Sequence, residues 1–364
     1  MAKKTTVALV FGGRSSEHTI SCVTAGGVLS AIDRDRFDVI PVGVTRDGAF
    51  TLQPDDPELF RMDPDAMPQV VDNETRVFWP ESAATRGVSV EEADGTVRSL
   101  GEVDVAFPIL HGPWGEDGTI QGFFELLGIP YVGNGVLASA AAMDKHFTKS
   151  LLAASGIRVA PWATITPASW ARDEAAERAR VAELGLPLFV KPARAGSSVG
   201  VTKVRSLDEL EAALRTAWAE DTKAIVEAAI VGREVECGVL SGRGGAAPRV
   251  SLAGEIVVTG REFYDFEAKY LDPDAAQLIC PTELSAEELA EMQRIAVRAF
   301  EAVGGSGLAR VDFFFTGSEF VVNELNTMPG FTPISMFPKC WEASGLPYAE
   351  LITELIELGL ETTR

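Results

Sequence analysis

The sequence predicts a mixed α/β chain of two or three domains. Three observations carry this: an opening strand–turn–helix–strand unit, short apolar runs alternating with helical spacing further on, and a late hairpin with acids set among its apolar residues. The length of 364 residues exceeds what one core usually accommodates. With 46% apolar and 23% charged residues, the composition is that of an ordinary globular protein.

Each element has its reason. Val7-Ala8-Leu9-Val10-Phe11 is a continuous apolar run of buried-strand length, Gly12-Gly13 turns the chain, Ser15 or Ser16 caps, and residues 20–32 have helical spacing. A strand over 39–44 completes a βαβ unit. From about 46 to 101 the chain is polar and rich in Asp, Pro and Glu, which reads as an insertion of hairpins and loops. A strand over 103–108 resumes the sheet, followed by the loop 111–118, a helix over 119–127 and a strand over 131–133. A helix over 145–154 then ends at Gly156, a C′ glycine; 161–166 is extended and 174–184 helical. Strands follow over 187–192, 224–227, 234–240, 252–258, 308–315 and 320–326, with helices over 286–303 and 348–358.

A formal charge of −21 argues against nucleic acid and against anionic membrane, both of which need basic patches. An anionic ligand would have to find lysines and arginines gathered locally. Cys22, Cys237, Cys280 and Cys340 are far apart in sequence with no C-x-x-C pair, so they read as buried apolar residues or free thiols of a reducing compartment. No apolar stretch is long enough to span a bilayer and none follows Met1-Ala-Lys-Lys as a signal sequence would require, so a soluble, cytoplasmic protein is expected.

The strongest chemical signal is Leu308-Ala-Arg-Val-Asp-Phe-Phe-Phe315 followed by Phe320-Val-Val-Asn-Glu-Leu-Asn326. Residues two apart on a strand share a face, so Glu324 and Asn326 lie together and Asp312 joins them across the hairpin. That requires a loop of odd length, such as 316–318. Hard oxygen donors on neighbouring strands, with positions left for phosphate oxygens, suit Mg²⁺. Arg310 shares the face and can neutralise an oxyanion.

Val190-Lys-Pro-Ala-Arg-Ala-Gly-Ser-Ser-Val-Gly200 places Lys191 at a strand end before a small-residue loop, which suits phosphate and equally suits a plain turn. Lys145 opens a helix, where most lysines are solvated. In Phe11-Gly-Gly-Arg-Ser-Ser-Glu17 the G-x-G-x-x-G pattern is absent, which disfavours NAD, and Glu17 at a helix start also serves the helix dipole. His111-Gly-Pro-Trp-Gly-Glu-Asp-Gly118 follows a sheet strand, where α/β folds bind ligands; His111 can also be a satisfied structural histidine, as His18 and His146 are taken to be. Phe263-Tyr-Asp-Phe-Glu-Ala-Lys-Tyr-Leu271 suits a water-excluding lid or an aromatic-anchored surface loop.

Together these segments resemble the D-alanine–D-alanine ligases of the ATP-grasp superfamily, with five motifs in family order from about Thr6 to the C-terminal helix. The resemblance implies an α/β and α+β protein: a Rossmann-like N-terminal domain (1–138, with the insertion 46–101) and two ATP-grasp subdomains (139–227 and 228–364) clamping ATP. It implies that Lys145 and Lys191 contact phosphates, that Glu227 and the backbone near Ile230 hold adenine, that Glu234 holds the ribose, and that Ser198 and Phe263 belong to the same ATP site. Asp312, Glu324 and Asn326 would bind two Mg²⁺, or Mn²⁺ in their place. Glu17, in a hydrogen-bonded set with Ser197 and Tyr270, would receive the ammonium of the first D-alanine. Ser335 and Lys269 would receive the carboxylate of the second, His111 and Met336 would belong to the substrate site, and Arg310 with the Gly330 N–H would form the oxyanion site. A tyrosine at 270 accompanies D-alanine rather than D-lactate as acceptor in this family. Ala195 departs from the acid or glycine that many members carry. The resemblance further implies a homodimer acting in peptidoglycan precursor synthesis. The rivals are a D-alanine–D-lactate ligase, another ATP-grasp carboxylate–amine ligase, and a non-catalytic nucleotide-binding module.

Overall fold

The structure, a computed structural model, describes residues 3–63, 65–196, 198–258 and 276–362. The expectations for Ser197, Phe263, Lys269 and Tyr270 therefore lie outside the described residues.

The first layer is built as the βαβ pattern requires. β1 (Thr5–Gly12) leads through α1 (His18–Ala31) to β2 (Phe37–Val44), parallel to β1. β3 (Phe50–Leu52) adds antiparallel to β2. The insertion then forms a separate antiparallel sheet of β4 (Arg76–Phe78), β5 (Gly87–Glu91) and β6 (Val97–Glu102) before β7 (Val105–Pro108) returns beside β1. α2 (Thr119–Leu127), α3 (Val136–Met143) and α4 (Lys145–Ala154) follow. Because β1 is buried on both faces, its alternate residues feed two cores: Val7, Leu9 and Phe11 one, Ala8 and Val10 the other.

Two local expectations change. Ser15 and Ser16 do not cap α1; the cap position is Glu17, with no side-chain cap bond, and the Ser15 hydroxyl accepts from the Glu17 N–H at 3.2 Å while donating to the His111 carbonyl at 2.7 Å. Residues 131–133 make only a single bridge, Tyr131 to Ala106, and Gly133 with φ +108° turns the chain away from the sheet.

The second layer is antiparallel. β8 (Trp162–Ile165), α5 (Pro167–Arg172), α6 (Glu174–Ala182), β9 (Leu188–Pro192), β10 (Thr202–Val204), α7 (Leu210–Glu220) and β11 (Ala224–Ala228) give the strand order β10-β9-β11-β8. Period-two burial on β9 sends Leu188 and Val190 into the core with Leu210 and Leu214, leaving Phe189 and Lys191 on the other face.

The third layer contains β12 (Arg233–Leu240), β13 (Arg249–Val258), β14 (Ala276–Ile279), α8 (Ala286–Ala302), β15 (Leu308–Phe315), β16 (Phe320–Asn326), α9 (Met336–Ala343) and α10 (Tyr348–Glu361), with strand order β14-β13-β12-β15-β16. Val311, Phe313 and Phe315 pack against α8, and Arg310 and Asp312 take the opposite face. α9 approaches the sheet closely because a Cβ at Gly238 would collide with Trp341 and Phe337, and one at Gly254 with Met336. α10 returns to the beginning of the chain: Leu351, Ile352, Leu355 and Ile356 are fully buried with Val7, Leu9 and Phe11, each contributing about 1.5–3 kcal/mol.

All four cysteines are free thiols, yet Cys280 and Cys340, 60 residues apart, bring their sulfurs within 3.6 Å. No helix among the described residues is long and apolar enough to cross a membrane.

Candidate active site

A cleft of about 1210 Å³ opens where the C-terminal ends of β1 and β7 face the second and third sheets. In an α/β layer this is the end at which loops collect ligands. Of the residues expected from the sequence, Glu17, His111, Lys145, Lys191, Ser198, Ile230, Glu234, Arg310, Asp312, Glu324, Asn326, Gly330, Ser335 and Met336 all line this cleft.

The acidic hairpin reaches its geometry by a different route from the one expected. The loop between β15 and β16 spans 316–319, an even length, and Phe313 pairs with Val322. In an unbroken ladder Asp312 would then oppose Asn323, and Glu324 would turn into the core. A bulge supplies the missing residue: the register shifts between Asp312 and Phe313, and Asp312 pairs with Glu324 and Arg310 with Asn326. The expected odd loop is thus replaced by an even loop and one extra strand residue.

Arg310 grips Asp312 with two bonds of 2.7 Å, Nε to Oδ1 and Nη2 to Oδ2, and its Nε lies 3.2 Å from Glu236 Oε1 on β12. Asn326 Nδ2 donates to Asp312 Oδ2 at 3.0 Å, and Lys145 Nζ stands 3.7 Å from Glu324 Oε2. Burial works against the Arg310 charge, but Asp312 and Glu236 hold it firmly protonated. Carboxylates opposed across a strand pair repel unless a cation intervenes. Two carboxylates and an amide on one face are a hard-oxygen set that fits a divalent ion with coordination positions left for phosphate. Glu236, 3% exposed, was not singled out from the sequence because on β12 alone it reads as one more strand acid.

Across the cleft, Lys191 Nζ bonds Glu227 Oε2 at 2.9 Å, and the buried Lys149 lies 3.5 Å from Glu227 Oε1. Burial disfavours the Glu227 charge, but Lys191 and then Lys149 hold its carboxyl below the ordinary range. Glu227 is not among the described residues that line the cleft; its buried carboxylate is engaged by these lysines, of which Lys191 does line it. Lys149, 1% exposed, was missed because its partner lies far along the chain. Asp144 caps α4 by accepting from the His146 and Phe147 N–H groups, which sets Lys145 at the helix start, where its Nζ donates to the Ala195 carbonyl at 2.9 Å.

Glu17 sits between two loops that both meet it with glycine. A Cβ at Gly112 would stand 2.7 Å from Glu17 Oε2, and one at Gly196 3.3 Å. His111 is buried, with Nδ1 3.2 Å from the Met328 carbonyl and Nε2 3.4 Å from Thr24 Oγ1; burial lowers its pKa, so the ring is a neutral, doubly anchored wall of the cleft. His18 is likewise bonded at both nitrogens, to the Gly13 carbonyl and the Val70 N–H. Glu116 was passed over in the sequence. It accepts from Gly112 N at 2.6 Å and Met328 N at 3.3 Å, joining the 111–118 loop to the loop before Gly330. Burial, with Glu17 nearby, pushes its carboxyl up to about 8.

The chain matches two family models, "D-ala D-ala ligase N-terminus" over residues 6–134 and "D-ala D-ala ligase C-terminus" over 151–357. It is 52% identical over 360 residues to the D-alanine–D-alanine ligase of Pseudarthrobacter chlorophenolicus, covering 98% of this chain and 94% of that one. The corresponding ligase of Streptomyces coelicolor is 51% identical, with 97% and 92% covered. Among solved structures, the VanG D-Ala:D-Ser ligase from Enterococcus faecalis superposes with a TM-score of 0.85 at 36% identity, covering 98% of this chain and all of that one. The D-alanine–D-alanine ligase from Coxiella burnetii gives 0.81 at 36% identity, with 99% and 94% covered. With both halves matched and the acidic hairpin, paired lysines and Glu17 converging on one cleft, the chain belongs to the D-alanine–D-alanine ligase family and has its ATP-grasp fold.

Proposed function

We propose that the chain joins two D-alanines to D-alanyl-D-alanine with ATP, through a D-alanyl phosphate, for peptidoglycan precursor synthesis. The observation that carries this reading is the single cleft in which Glu17 faces the Arg310–Asp312–Glu324–Asn326 set and the Lys145 and Lys191 ammonium groups.

The carboxylate of the first D-alanine attacks the γ-phosphorus of ATP while Glu17, in a set with Ser197 and Tyr270 and beside His111, holds its ammonium. Two anions meet in this step, so lysines must offset their repulsion; Lys145, Lys191 and Ser198 approach the phosphates. Ile230, Glu227 and Phe263 surround adenine, and Glu234 holds the ribose. Asp312, Glu324 and Asn326 hold Mg²⁺ or Mn²⁺, which when bound neutralises phosphate charge. Ser335, Lys269 and Met336 orient the second D-alanine, whose amine attacks the acyl carbon. Arg310 and the Gly330 N–H stabilise the oxyanion, and phosphate leaves. The domain bounds 1–138, 139–227 and 228–364, cytoplasmic location and a homodimer belong to the same proposal; the third sheet lies within the last span, while β11 of the second sheet runs one residue past 227.

Incubation with ATP and D-alanine is expected to release phosphate and yield a product with the mass of D-alanyl-D-alanine. Paired incubations adding D-lactate or D-serine at neutral pH test the acceptor; a depsipeptide or a D-alanyl-D-serine product dominating there would replace this reading. ATP binding without turnover on any D-amino acid would point to the non-catalytic alternative.

A further inference from the structure

Cys280 and Cys340 take no part in the chemistry above, yet they are placed where they can act on it. Cys280 directly follows β14, whose Gln277 and Leu278 line the cleft, and Cys340 lies in α9, whose first turn carries Met336 and follows Ser335. The two sulfurs are 3.6 Å apart; Cys280 is half-buried and Cys340 buried. From the geometry we infer that Cys280 and Cys340 are an oxidation site at which hydrogen peroxide forms a disulfide between the end of β14 and α9, weakening acceptor binding in the cleft.

The roles of the two thiols differ. A hydrogen bond shared with Cys340, together with the Lys339 ammonium, brings the Cys280 thiol below its ordinary range, against the opposing effect of burial. That bond and burial push Cys340 up. Cys280 is therefore the attacking sulfur and Cys340 the resolving one. The Cys280 thiolate attacks one peroxide oxygen; the O–O bond breaks, and the departing hydroxide takes up a proton as water, leaving a sulfenic acid. Cys340 sulfur then attacks Cys280 sulfur, the S–O bond breaks, and a second water leaves with the Cys340 proton. Two electrons pass from the sulfurs to the peroxide.

A disulfide requires about 2.05 Å between sulfurs against 3.6 Å here; side-chain rotation closes part of the gap and movement of α9 against the end of β14 closes the rest. α9 has little room to absorb this, since Gly238 and Gly254 already bring it against the sheet without an intervening side chain. Movement of α9 carries Ser335 and Met336 at its start with it. This functional consequence rests on their proposed role with the acceptor, which Ser335→Ala in the reduced protein tests separately.

The test treats the full-length protein with hydrogen peroxide. Peptide mapping by mass is expected to show a Cys280–Cys340 cross-link, lighter by two hydrogens and reversed by dithiothreitol, in the parent and in neither Cys280→Ser nor Cys340→Ala. The oxidised parent should lose roughly 10- to 100-fold in kcat/KM for the acceptor, the cost of misplacing acceptor-binding groups by up to about 1 Å, with KM for ATP unchanged. Cys280→Ser, whose changed residue is half-buried, should keep its activity under peroxide. Oxygen addition at Cys280 with Cys340 still a free thiol would overturn the site. A cross-link that leaves acceptor kinetics unchanged would overturn its coupling to the cleft.

Discussion

The two charged clusters facing the cleft are built in opposite senses. Behind β9 and β11, one carboxylate, Glu227, meets two ammonium groups, Lys149 and Lys191. At the hairpin, Asp312, Glu324 and Glu236 gather around Arg310 and the more distant Lys145. The first cluster is left with positive charge and the second with negative. A surface carrying 21 excess negative charges overall thus has one local place suited to phosphate and another, across the cleft, suited to a cation. Local surplus, rather than net charge, distinguishes the two walls.

The largest expected effect breaks the negative wall. Arg310→Ala should cost about 2.7–4 kcal/mol of transition-state stabilisation, seen as a fall in kcat with KM for ATP little changed. A defect confined to ATP affinity would remove Arg310 from the oxyanion role. Next comes the positive wall. Lys149→Met should destabilise the protein by about 1–3 kcal/mol in urea unfolding, because Glu227 stays buried with one partner fewer. Adding Glu227→Gln should recover part of that loss, and non-recovery would mean that Lys149 acts by packing alone.

A pH-dependent effect reports on the joint between the walls. Glu116 is held up to about 8 against an ordinary value of 4.5, so the folded chain favours its protonated form. Its contribution is full below 4.5 and is lost as pH rises through about 8. Urea midpoints for the parent should therefore carry a downward component across that window, and Glu116→Gln should flatten it. Equal slopes in the two proteins would place the Glu116 carboxyl in contact with water.

Much of this arrangement is legible from residue pattern alone. The β1–α1–β2 unit, α2, α4 and the acidic hairpin follow from periodicity and turn residues, because each buries one face against a neighbouring layer. α3 escapes detection for a physical reason: its short, alanine-rich sequence has no strong apolar stripe. α9 carries Pro338, which reads as a breaker but is tolerated in a first turn, where its missing N–H has no intrahelical partner to lose. α7 is absent from the expected elements although Leu210, Ala213, Leu214 and Ala217 stand at helical spacing. Lys149, Glu116 and Glu236 were not readable, since each takes its meaning from a distant partner. Parity arguments on a strand also need the bulge, which the spacing of Asp312 and Glu324 does not disclose.

The packing of α10 on the opening sheet bears on how the molecule is made. Val7, Leu9 and Phe11 are synthesised long before the helix that covers them, Tyr348–Glu361. At ribosomal speeds of about 5–20 residues per second, that face of β1 waits roughly 17–70 seconds for its cover. β1 and β2 can pair early, but the apolar face under α10 is sealed only after the strands of the second and third layers have been made. Birth order and burial order therefore run in opposite directions here, and β1 is closed long after it is made.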